Sequence, residues 1–180
     1  MAWYYISLGS NIDPHQNVKY MLDYLLRISK RIDISRILET QAKGFASNRT
    51  FLNLAARIHT HLSPVELKQM FNQIETELGR DRNDPLSKKK DRVADIDILF
   101  YKEHENSLIY KRDLPPEPYV RPFVLELLDY LKINIDEQPQ FKEFGVSLNF
   151  HNVIIGHQAL SIRLQEENII KLSMPMKAVG

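Results

Sequence analysis

The chain has 180 residues, a length that fits one domain with a buried core, and its formal net charge of +1 supplies no global field for nucleic acid or a membrane surface. It contains no cysteine, which excludes disulfides, thiolate catalysis and cysteine-ligated metals. No apolar run approaches the roughly 18 residues of a bilayer span, and MAWYYISLGSN lacks the basic start and apolar stretch of a signal peptide, so the expected setting is the cytoplasm.

Residues 3–8 (WYYISL) are aromatic and β-branched and read as a strand, with Gly9-Ser10-Asn11 as the turn after it. Asp13-Pro14 offers an N-cap with proline at the first helical position. Val18, Met21, Leu22 and Leu25 then repeat at helical spacing, which predicts a helix to about residue 30. Ile32 and Ile34 alternate with polar residues and predict a strand over 31–39, followed by a loop over 41–50. Alternation over 51–60 predicts another strand, with Phe51 and Asn53 on one face. Ser63-Pro64-Val65-Glu66 is a capping box that opens an amphipathic helix through Leu67, Met70, Phe71, Ile74 and Leu78. A long polar loop, 79–92, leads into the apolar strand 93–101 (VADIDILFY).

This order predicts an α+β fold, the ferredoxin-like β-α-β-β-α-β arrangement, with an antiparallel sheet and two helices on one face. The expected core ends near residue 132. Within it, 120–131 reads as a short helix. Residues 133–180 form a C-terminal extension in which 145–156 reads as a hairpin and the stretch from 160 has no clear pattern.

Asp95-Ile96-Asp97-Ile98 is the most informative stretch. On a strand, Asp95 and Asp97 point to one face about 6.5–7 Å apart, while Ile96 and Ile98 turn to the other. Two carboxylates on one face repel unless a positive charge joins them, and magnesium takes one or two carboxylates plus water and phosphate oxygens. The same pattern also describes a solvated acidic sheet face. Immediately before it, Arg80, Arg82, Lys88, Lys89, Lys90 and Arg92 outnumber Asp81, Asp84 and Asp91. Cations against phosphate oxygens are what phosphoryl transfer requires, and a long loop can close over a nucleotide. Phe51, Phe123 and Asn53 offer two rings and an amide, the set a flat heterocycle needs, although each phenylalanine fits a hydrophobic core as well. The six histidines form no ligand cluster, and Gly9-Ser10-Asn11 lacks the end of a P-loop.

YISLGSN (5–11), FLNLAA (51–56), ETELGRDR (75–82), R-x-x-D-I-D-I-L (92–99) and RPFVLELL (121–128) occur in one order over roughly residues 4–130. Jointly they resemble the 6-hydroxymethyl-7,8-dihydropterin pyrophosphokinase family of folate biosynthesis. The resemblance implies transfer of a diphosphate from ATP to the pterin hydroxymethyl group, with release of AMP. It implies two Mg2+ ions on Asp95 and Asp97, and Arg80, Arg82 and Arg92 on the phosphates. Glu75, Ile98 and Arg121 would lie near ATP. Thr40, Phe51, Asn53 and Phe123 would hold the pterin between the two rings. The implied partners are these small molecules, with no nucleic acid and no membrane; association with dihydropteroate synthase is left open. The chain departs from the family where Lys89-Lys90-Asp91 replaces Trp-Gly/Ala-Pro and where Pro115-Pro116-Glu117 lacks a histidine. Thr40-Gln41-Ala42 also replaces Thr-x-Pro. These departures keep two alternatives: a relative acting on a different small alcohol, and a catalytically silent nucleotide-binding relative.

Overall fold

The computed structural model describes residues 1–141, 143–165 and 169–173. Strand β1 spans Ala2–Ser10 and sends Tyr4, Ile6 and Leu8 to one face and Tyr5 to the other. It therefore continues through Gly9 and Ser10, which the sequence reading had assigned to a turn. Helix α1 (Pro14–Ser29) follows, with Val18, Met21, Leu22 and Leu25 buried at the expected spacing. Asp13 does not cap it through its side chain. Its backbone is left-handed (φ 43°), and the carboxylate makes no cap hydrogen bond.

The strand expected over 31–39 is two strands, β2 (Arg31–Ile34) and β3 (Leu38–Gln41), both paired to β4 (Thr50–Thr60). The break has a local cause. Ser35 Oγ accepts the Ala55 amide proton at 2.9 Å, taking a place in the ladder. Ile37 instead donates to the Gly156 carbonyl at 2.8 Å and accepts from Val146 at 2.7 Å. The segments meet so closely that a Cβ on Gly145 would lie 1.9 Å from the Gly156 carbonyl oxygen, which only glycine tolerates.

Helix α2 (Pro64–Glu77) opens on the predicted capping box: Ser63 Oγ accepts the Glu66 amide, and the Glu66 carboxylate accepts the Ser63 amide. Strand β5 (Asp95–Lys102) pairs antiparallel with β1, and its register shifts between Tyr5 and Ile6. Helix α3 (Arg121–Tyr130), the hairpin β6 (Leu148–Phe150) with β7 (Val153–Ile155), and strands β8 (Leu160–Gln165) and β9 (Ile169–Ser173) complete the described chain.

The main sheet runs β5-β1-β4-β2-β8-β9, with β3 attached to β4, and every pairing is antiparallel. Strands β8 and β9, in a stretch unplaced from sequence, extend this sheet, with β8 beside β2 and β9 beside β8. One core lies between the sheet and α1 and α2, where Leu52, Leu54, Ala56 and Ile58 of β4 meet Met21, Leu25, Phe71 and Ile74. A second core lies on the opposite face, where Tyr5 and Ala55 meet Phe123, Val124, Leu127 and Leu128 of α3. Helices thus occupy both faces rather than one. Each fully buried aliphatic side chain here is worth about 1.5–3 kcal/mol of transfer free energy. Among the described residues, no helix is long and apolar enough to cross a membrane.

Candidate active site

The register of the three neighbouring strands builds the site. Gly9 of β1 lies opposite Asn53 of β4 on one side and Asp95 of β5 on the other. Ser7 in turn lies opposite Asp97. Period-two alternation then brings Asp95, Asp97 and Asn53 to the face shared with α3, while Ile96 is buried in the α1/α2 core. Ser7, Gly9, Asn53, Asp95, Asp97, Tyr119 and Phe123 line one cleft of about 60 Å³. Gly9 is required at its floor, since a Cβ there would stand 2.5 Å from Asn53 Oδ1.

Both carboxylates are held by cations. Asp95 accepts from Arg80 Nη1 at 2.7 Å and from Arg92 Nη1 at 2.5 Å. Asp97, with its side chain 55% exposed, accepts from Lys68 Nζ at 2.7 Å. Behind them, Glu75 is almost fully buried. It accepts the Ile96 amide at 2.8 Å and pairs with Arg80 at 2.9 Å and with Arg82. Burial pushes its carboxyl upward, opposed by the Ile96 amide and the two guanidinium groups. Glu75 therefore ties α2 to β5 and orients Arg80 and Arg82; it does not reach the cleft.

The basic loop is anchored by Asp91, which in the sequence reading counts only in the charge balance and as a departure from the family pattern. Asp91 accepts from Asn11 Nδ2 at 2.7 Å and Ser47 Oγ at 2.6 Å, and pairs with Arg49 at 3.6 Å. Asn11 Oδ1 in turn accepts the Arg92 amide at 2.7 Å. Hydrogen bonds, first from Ser47 and then from Asn11, with the charge of Arg49, hold the Asp91 carboxyl below its usual range against a smaller effect of burial. Arg92 also lies over the Phe45 ring, 5.8 Å from its centre, and Phe45 meets Phe51 edge to face.

The expected residues divide as follows. Asp95, Asp97, Arg80, Arg92, Asn53 and Phe123 come together. Thr40 is joined to them through Asn53 Nδ2, which donates to its hydroxyl. Phe51 is buried beside Gly9 rather than lining the cleft. Ile98 faces the α1/α2 core, opposite the carboxylates. Arg121 is turned to Glu137, which it engages twice at 2.7 Å, and to the Pro115 carbonyl. Gly9, Lys68 and Tyr119 were not anticipated. Gly9 sits in the quoted YISLGSN stretch, but only strand pairing reveals its closeness to Asn53.

Two same-face carboxylates without a third acidic or histidine ligand fit a hard cation that completes its shell with water and phosphate oxygens. No cluster of three or more such ligands occurs among the described residues. Arg80 Nε is buried and donates to nothing among them, a hydrogen-bond donor unspent beside the acidic pair. Another cavity, of about 640 Å³, lies at the far end of β4 between α1 and α2 and contains no carboxylate pair.

Residues 5–133 match the family described as 7,8-dihydro-6-hydroxymethylpterin-pyrophosphokinase. A 2-amino-4-hydroxy-6-hydroxymethyldihydropteridine pyrophosphokinase of Porphyromonas gingivalis is 35% identical over 127 residues, which are 69% of this chain and 86% of that protein. A protein of the same name from Bacillus subtilis is 37% identical over 125 residues, 67% of this chain and 72% of its own length. A folate synthesis bifunctional protein of Arabidopsis thaliana is 32% identical over 155 residues, 82% of this chain and 31% of that protein. With its acidic strand and arginines inside the matched stretch, the chain belongs to the 7,8-dihydro-6-hydroxymethylpterin-pyrophosphokinase family.

Proposed function

We propose that the protein transfers a diphosphate from ATP to the hydroxymethyl oxygen of 6-hydroxymethyl-7,8-dihydropterin and releases AMP, in folate biosynthesis. Family membership supports the activity. The observation that carries it to this site is the pair Asp95 and Asp97 on one face of β5, with Arg80 and Arg92 converging on Asp95 beside the Asn53–Phe123 cleft.

In this reading the hydroxymethyl oxygen forms a bond to the β-phosphorus of ATP. The bond from that phosphorus to the oxygen bridging to the α-phosphate breaks, AMP departs with that oxygen, and the hydroxyl proton passes to solvent. Asp95 and Asp97 would hold two magnesium ions. Bound there, magnesium neutralises phosphate charge and acidifies the hydroxyl. Arg80, Arg82 and Arg92 bind phosphate oxygens as bidentate donors. Asn53 and Thr40 present amide and hydroxyl groups to the pterin edge, Phe123 supplies flat apolar surface in the cleft, and Phe51 backs its floor beside Gly9. Glu75 keeps Arg80 and Arg82 in place, so the protein's main work is positioning.

We read the β5-β1-β4-β2 part of the sheet, with α1 and α2 on one face, as ferredoxin-like, working as one cytoplasmic pyrophosphokinase unit. The bifunctional name of the Arabidopsis relative favours a second folate enzyme, such as dihydropteroate synthase, as a neighbour. The test is turnover with ATP, magnesium and hydroxymethyl-dihydropterin. AMP must appear, and Asp97→Asn and Asp95→Asn must each lower turnover about 10²-fold or more. Release of ADP, or full activity in either variant, overturns the reading.

A further inference from the structure

Lys68 is on α2, away from the phosphate-binding loop, and its side chain reaches to β5, the edge strand of the sheet. Its ammonium lies 2.7 Å from Asp97 Oδ1 and 2.9 Å from the Ile96 carbonyl oxygen. The two acidic residues are thus neutralised differently. Asp95 is gripped by two guanidinium groups; Arg80 also donates to the Ala94 carbonyl and pairs with buried Glu75. Among the described residues, Lys68 is the cation paired with Asp97, and the pair is open to water, with side-chain exposures of 37% and 55%.

We propose that Lys68 is a resident counter-cation of Asp97 that competes with the divalent ion for the same carboxylate. The inference rests on the metal-binding reading given above. At 2.7 Å the ammonium takes a lone-pair direction of Oδ1 that a metal ion would use, and two cations cannot share it without strong repulsion. Lysine suits this part because its charge is compact, strongly hydrated and carried on a flexible stem, so it can leave for water. An exposed pair of this kind is weak, so the competition is modest and a divalent ion bridged by nucleotide phosphates overcomes it. Until then Lys68 relieves the repulsion between the carboxylates. The consequence is a higher metal requirement than the bare acidic pair would have.

The test is titration of the full chain with Mn2+, following free Mn2+ by electron paramagnetic resonance, alone and with a non-hydrolysable ATP analogue. Lys68→Met keeps the stem and removes the charge; it should bind Mn2+ roughly two- to fivefold more tightly, the range set by a weak exposed pair. Lys68→Arg, which restores a cation, should return affinity to near the wild-type value. Equal or weaker binding by Lys68→Met overturns the inference. Asp97→Asn separates the two readings. If Asp97→Asn/Lys68→Met binds Mn2+ no more tightly than Asp97→Asn alone, and both bind more weakly than wild type, the ion is at Asp97 and the competition stands. If Asp97→Asn alone binds Mn2+ as tightly as wild type, the metal-binding reading itself falls.

Discussion

Asp91 shows how one side chain can set the position of another that does the chemistry. Its carboxylate gathers Asn11, Ser47 and Arg49 from two other segments and so fixes the backbone from which Arg92 reaches Asp95. Because its folded pKa is depressed below the ordinary value of 3.8, Asp91 favours the folded site above that value, and the contribution fades as pH falls through the lower folded pKa. Asp91→Ala should therefore raise the KM for ATP more than the KM for the pterin, and flatten the acid limb of the stability profile below about pH 4. A pH series of thermal melts alongside steady-state kinetics measures both; equal KM values for ATP in variant and wild type would count against the anchor. Gly9→Ala makes a second test at this scale. The added Cβ displaces Asn53 from Thr40, and a shift near 1 Å in a positioning group costs about 10²-fold in kcat/KM for the pterin. The ATP KM should stay near wild type. Asp95 and Asp97 were legible in sequence because same-face spacing on a strand is a local property. Lys68, Asp91 and Gly9 were not, because their partners lie 29, 44 and 44 positions away in the chain and become neighbours only after strands pair.

Among the elements, α2 was the most readable, since its punctuation is chemical. Ser63 and Glu66 cap each other's backbone, and the Ser63 hydroxyl and amide hold the Glu66 carboxyl below its usual range. Ser63→Ala should cost about 1 kcal/mol of stability, read as a lower urea midpoint. Turnover well below the melting temperature should change little, because Lys68 and Glu75 lie further along the helix. With Glu66 depressed, the share of the wild-type advantage that rests on its carboxylate is present above the ordinary value and lost as pH falls through the lower folded one, while the bond from the Glu66 amide to Ser63 Oγ does not titrate. A difference between variant and wild type that stays constant through the acid limb would contradict this account. The 31–39 strand was misread because alternation cannot foresee that Ser35 replaces a ladder partner and Ile37 turns to Gly156. Asp13 does occupy the N-cap position with Pro14 opening the helix, but its side chain makes no cap hydrogen bond, for a similar reason. The Asn11 side chain is committed to Asp91–Arg92, the chain at Asp13 turns left-handed, and Asn17 satisfies the Ile12 carbonyl.

Across the whole molecule, the acidic strand and the C-terminal strands lie at opposite edges of one sheet, and a buried ionic cluster joins the strands between them. Asp33 of β2 is 1% exposed and pairs with Arg57 of β4 at 2.7 Å, which is 2% exposed. Asp33 also accepts from Arg31 at 3.1 Å and from Ser161 of β8, and the Ser161 hydroxyl is 2.9 Å from Tyr130 of α3. Arg57 stacks on Trp3 of β1 at 4.2 Å. The network thus links β1, β4, β2, β8 and α3 in one low-dielectric patch. Removing Arg57 leaves buried Asp33 only Arg31 and Ser161 as partners, so Arg57→Met should cost about 3 kcal/mol, the lower end of the range for a broken buried pair, whereas replacing both residues by apolar ones of similar volume should cost less. A double-mutant cycle in urea, with Asp33→Leu as the second arm, gives the coupling energy. Hydrogen exchange should show the loss concentrated at β2 and β8 in Arg57→Met. If instead Arg57→Met and the double variant are equally unstable, the cluster contributes packing rather than charge pairing, and the C-terminal strands are held to the sheet by their backbone ladder and the Ile32–Ile162 contact.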